Sequence, residues 1–205
     1  MDTILFLGFA AAYLALLVWG VRLAMRNGWW TPANLPLLVV AALVYDNLVL
    51  GLGSTIGHGP ALEGLNHGRF WIHAAITPTL VAWALHTLRR AGFGWAQSRA
   101  YQVLSIGAAL ALTVVEYFLE VRGLHLVPQE EYGVLSYGSA EPATGPPLMV
   151  LVVAAFLVVA GALVWRKQKW PWLFDAFELT LLVSIMATKA FQDRNDHSRD
   201  LSPAR

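Results

Sequence analysis

The chain has no cysteine among its 205 residues. Disulfides, thiolate metal sites, iron–sulfur clusters and cysteine nucleophiles are therefore excluded. Charge is scarce as well. Asp, Glu, Lys and Arg make up 13% of the residues, about half the roughly 25% usual in soluble domains. The formal net charge is +1, and no Lys/Arg block offers a phosphate backbone a track, so nucleic acid is not an expected partner. The start, Met1-Asp2-Thr3, lacks the basic segment and small-residue cleavage site of a signal peptide, so the first apolar run reads as a retained helix. There is no HExxH or HxxxH pair. The glycine-rich stretch from Gly51 to Gly57 lacks the Lys-Ser/Thr of a phosphate loop.

What is present is apolar length. The hydrophobic fraction is 57% and the mean hydropathy +0.55. A spanning helix needs about 20 apolar residues, and six windows supply them: approximately 3–25, 35–52, 69–91, 100–122, 147–165 and 173–192. The expected fold class is all-α, a polytopic six-transmembrane-helix bundle. Residues 1–192 form one membrane domain in this reading, and 193–205 a charged, flexible tail.

Positive charges give the sidedness. Arg22 and Arg26 follow the first window, Arg89, Arg90 and Arg99 the third, and Arg166, Lys167 and Lys169 the fifth. The opposite connections hold mainly Glu63, Glu130, Glu131 and Glu141. Both termini are therefore expected outside, in an inner (plasma) membrane crossed several times. Two outer connections, Gly53 to Gly68 and Gly123 to Pro146, are longer than connection requires.

Ionisable residues inside hydrocarbon are costly and mark functional candidates. Counted from the expected outer ends at helical rise, Asp46 and Glu116 lie about 9 Å deep, His73 about 6 Å and Lys189 about 5 Å. Four groups from four helices thus converge on one level. His73, Asp46 and Glu116 are the candidate catalytic residues, with His73 as general acid or base and Asp46 as its orienting partner. Tyr45, Asn47, Arg69 and Lys189 are the candidate substrate-binding residues. A structural Asp46–Lys189 or Glu116–Lys189 pair is the competing reading. In the outer connection, Glu63 and His67 fall at i,i+4 if Pro60 to His67 is helical, and with His58 they offer a divalent metal a nitrogen–oxygen site. Beyond such a metal, the sequence identifies no cofactor. Thr77-Pro78 kinks the third window beside His73.

An inner layer, made of His86, Asp175 and Glu178, lies close to the basic side. Between the layers the polar side chains are few: Ser105, Thr113, Thr180, Ser184 and Thr188. Three functions fit. The first is a membrane-embedded enzyme acting on a lipid or isoprenoid-type substrate by His/carboxylate acid–base chemistry. The second is a non-catalytic subunit or scaffold, whose partner is a second copy or another membrane protein. The third is a small proton-coupled transporter. Membrane lipids are expected partners in each.

Overall fold

The computed structural model describes residues 2–131, 133–141 and 148–169. The sixth window, with Lys189, Asp175 and Glu178, lies outside the described residues. The chain falls into two compact units, residues 1–153 and 154–205.

The first unit is mostly helical. Helix α1 runs Asp2–Asn27, α2 Leu35–Ile56, α3 Pro60–Ile76, α4 Thr79–Arg90 and α5 Arg99–Glu116, the last extended by a π turn over Tyr117–Val121. Helix α6, Leu148–Gln168, starts at the end of this unit and supplies the described part of the second. Among the described residues, four segments are long and apolar enough to cross a membrane: Thr3–Asn27, Pro32–Ile56, Arg99–Val121 and Met149–Gln168.

Local chemistry sets the helix ends. Gly28, at φ +108°, stops α1. The Asn34 amide then donates to the Gly28 and Trp29 carbonyls, tying the corner into α2. Small residues let α1 and α2 approach closely. A Cβ on Gly20 would fall 2.3 Å from Leu37 Cδ2, and one on Gly51 2.8 Å from Leu7 Cδ2. These two contacts, far apart along both helices, fix an antiparallel pair.

The outer connections differ from the sequence expectation. Helix α2 continues to Ile56 and α3 begins at Pro60, so the first connection shrinks to the residues around Gly57 and Gly59. Both glycines have left-handed backbone, φ +81° and +142°, and Pro60 opens α3, where it forfeits no helical bond. The third window is two helices: α3 ends at Ile76 and α4 starts at Thr79, on either side of Thr77-Pro78. The second connection folds into an antiparallel hairpin, β1 Leu126–Glu131 and β2 Val134–Ser139, in register from Leu126 opposite Ser139 to Glu131 opposite Val134. This hairpin is not an all-α feature.

The hairpin is packed, not loose. Leu135 and Tyr137, alternating on one face of β2, join Val49 and Leu62 in a buried cluster ringed by Tyr45, Leu65 and Leu126. Ser54 pins the strand, donating to the Gly133 carbonyl at 2.9 Å and accepting from Leu135 N–H at 3.1 Å. The Tyr137 hydroxyl accepts from Gly59 N–H at 3.0 Å, satisfying a free donor at the start of α3.

Candidate functional site

A polar network joins α2 to α3 beneath the hairpin. Arg69 Nε donates to Asp46 Oδ1 at 2.6 Å, and Arg69 Nη1 donates to Asn66 Oδ1 at 2.8 Å. Asn66 is fully buried and gives its own amide to the Leu62 carbonyl at 2.8 Å. Asn66, Arg69 and His73 repeat at i, i+3 and i+7, so one face of α3 carries all three. His73, exposed as a residue, lies within electrostatic reach of both Asp46 and Arg69. Tyr45, one residue before Asp46, donates to the Leu65 carbonyl at 2.9 Å. A Cβ on Gly68 would fall 2.6 Å from the Tyr45 hydroxyl. The ion pair is sheltered, its side chains 21% and 31% exposed for Arg69 and Asp46.

The remaining sequence candidates are dispersed. Asn47 is buried and bonds back to the Leu43 carbonyl within its own helix. Glu116 is buried at the end of α5, and no hydrogen bond or ion pair reaches it among the described residues. Next to it, Tyr117 packs on Trp71 with ring centroids 5.4 Å apart. His58 is exposed and pairs with Glu130 of β1 at 3.1 Å. Glu63 and His67 do occupy one face of α3 as helical spacing requires. Yet no three His, Asp or Glu side chains gather at metal-binding distance among the described residues. Lys189 lies outside them. The residue that sequence reasoning missed is Asn66. Its signal was the Asn66–Arg69 spacing, visible only once Pro60, rather than Arg69, is taken as the start of the helix.

A second feature is larger. Helix α4 packs against α2 and α5, which stay apart from each other, and a cavity of about 790 Å³ fills the gap. Its walls are apolar, with Leu35, Leu38, Ile106, Ala109 and Leu110 among them. Leu38, Ile106 and Leu110 also remain exposed, so the cavity is a cleft open at the side between α2 and α5. It runs along α5 from Tyr101 to Thr113, roughly 18 Å at helical rise. Trp29 and Trp30 flank its basic end. Glu116 stands one turn past Thr113 on the same face of α5, beyond the other end.

The hydroxyls and amides on this wall are turned inward on their own backbone. Thr79 donates to the Ile76 carbonyl, Ser105 to Gln102 and Thr113 to Ala109. What they present to the cleft is carbon. Comparison with protein-family models, curated proteins and solved structures finds no match.

Proposed function

We propose that the protein is a six-span inner-membrane protein with both termini outside, and that it takes a lipid- or isoprenoid-type amphiphile into the cleft between α2, α4 and α5. The observation that supports this reading most is the wall: about 790 Å³ of apolar space, open sideways, whose Thr79, Ser105 and Thr113 hydroxyls are already satisfied. Such a space suits an apolar chain and gives water few partners. Enzymatic chemistry on that amphiphile falls to Glu116, a buried carboxylate just past the outer end of the cleft, and to His73, positioned beside the Asp46–Arg69 pair.

Ala109→Phe tests the cleft by filling it. Purified variant is expected to keep its helical content and lose the lipid that wild type retains in native mass spectrometry. Equal retention by variant and wild type would remove the reading. The catalytic part is tested separately: His73→Ala and Glu116→Gln are expected to change the lipid composition of the host, and two unchanged profiles would leave a binding protein without chemistry.

One observation favours a second reading. Asp46, Arg69 and Asn66 satisfy one another, which is how a network that locks helices behaves. On that reading the protein is a non-catalytic subunit, and gentle detergent extraction brings a stoichiometric partner with it.

A further inference from the structure

The cleft is not uniformly satisfied. Asn34, Thr79, Gln102, Ser105 and Thr113 face it with their polar atoms bonded to nearby carbonyls. His86 and Arg89 differ. Both ring nitrogens of His86 and the Nε of Arg89 are buried and have no hydrogen-bond partner among the described residues. The two residues sit at i,i+3 in the last turns of α4 and line the same end of the cleft, beside Trp29 and Trp30. The Arg89 carbonyl is fixed by the Gln97 amide at 2.8 Å, so the helix end that carries them is held. No Asp or Glu lines the cleft among the described residues.

A buried guanidinium N–H and an imidazole without partners are costly unless a ligand completes them. The ligand must bring acceptors and negative charge, because the buried unpartnered atoms are a guanidinium N–H and the nitrogens of an imidazole beside that cation. It must also carry an apolar body, because the space running away from this pair is carbon-lined. We propose that His86 and Arg89 bind the phosphate-bearing head group of an anionic membrane lipid whose chain lies in the cleft. The inference rests on the reading of the cleft as an amphiphile site and adds the head group that it selects. The place suits such a lipid. The pair precedes Arg90 and Arg99 in sequence, at the end flanked by two basic connections, the one that follows Arg22 and Arg26 and the one between Arg90 and Arg99, the side expected to face the anionic leaflet. A phosphate offers several oxygens to a guanidinium fork and an imidazole donor at once.

The test uses the full chain in neutral detergent, titrated with phosphatidylglycerol and with phosphatidylcholine of identical acyl chains and read by native mass spectrometry. Wild type is expected to prefer the anionic lipid by about tenfold or more. Arg89→Gln brings the two affinities close together and leaves phosphatidylcholine binding as it was. His86→Leu lowers the preference by a smaller factor and serves if Arg89→Gln does not fold. Arg90→Gln, one residue on and outside the cleft, keeps it. A preference retained in both Arg89→Gln and His86→Leu, or lost equally in Arg90→Gln, overturns the assignment. Displacement of the lipid by millimolar inorganic phosphate would mean a soluble anion is the ligand, and would overturn it too. Wild type that binds neither lipid, or Ala109→Phe that binds both normally, would instead bring down the cleft reading and this inference with it.

Discussion

Replacing Gly53 by alanine is the sharpest test of how the hairpin is held. A Cβ at this position would lie 1.8 Å from the Leu135 carbonyl oxygen and 3.0 Å from its carbon. Carbon and oxygen sit comfortably at about 3.3 Å, so β2 has to retreat from α2 by roughly 1.5 Å. The obstacle is backbone, and no rotamer change relieves it. Retreat by that distance carries the Ser54 bonds to Gly133 and Leu135, now 2.9 and 3.1 Å, beyond hydrogen-bonding range. Overpacking of this kind costs about 1–3 kcal/mol. The two lost bonds add about 0.5–1.5 kcal/mol each. The hairpin should therefore be destabilised by about 2–6 kcal/mol in Gly53→Ala. Hydrogen exchange reads it directly, as a loss of protection of at least about thirtyfold in the amides of 126–139. Gly64→Ala is the control. That glycine lies in α3 with nothing within 4 Å of its added Cβ, so alanine there should leave the hairpin alone and favour the helix by up to about 1 kcal/mol. Unchanged hairpin protection in Gly53→Ala would refute the packing described here.

Three further outcomes follow from the same geometry. Ser54→Ala removes a donor and an acceptor from one hydroxyl and should cost about 1–2 kcal/mol, seen as faster exchange at Leu135 with α1 unaffected. Asp46→Asn leaves the Arg69 guanidinium sheltered without its counter-charge and should lower unfolding stability by about 1–3 kcal/mol. Adding Arg69→Gln should then cost less than it does alone, giving a coupling of about 1–2 kcal/mol; strictly additive losses would deny the pair. Tyr137→Phe leaves Gly59 N–H without its acceptor and should cost about 1 kcal/mol, read as increased exchange at the start of α3.

Apolar length was legible because it is a property of composition over a window. Four such windows reappear as single helices, with ends shifted by a few residues. Punctuation was harder. Gly53 looked like the start of a loop, but a glycine inside a helix can equally mark a close approach, and the backbone of β2 fills the space above it. The stretch 60–68 read as loop because glycine and histidine lower its hydropathy. It is the first half of α3, stabilised by Pro60 at its start and by Leu62, fully buried against Leu135 and Tyr137. The hairpin itself has only six residues per strand, and its inward alternation of Leu135 and Tyr137 is a weak signal until something is known to lie beneath it.

Depth was the argument that linked Asp46, His73, Glu116 and Lys189, and it depended on where each helix ends. With α2 continuing to Ile56, Asp46 is ten residues from that end, roughly 15 Å, and its partner is Arg69, which the sequence placed at a helix terminus. Arg69 instead falls in the middle of α3, where its guanidinium reaches both Asp46 and Asn66. A cation beside Asp46 was expected, and among the described residues Arg69 supplies one; Lys189 lies outside them. Ser105 and Thr113 bear on the second layer. As sequence they were stepping stones between two ionisable layers, the minimum a proton path needs. In the helix each hydroxyl donates to a carbonyl three or four residues earlier, which leaves the wall of the cleft mostly carbon. The same residues that offered a transport path in sequence therefore line an apolar cleft, in which the buried His86 ring nitrogens and Arg89 Nε have no partner among the described residues.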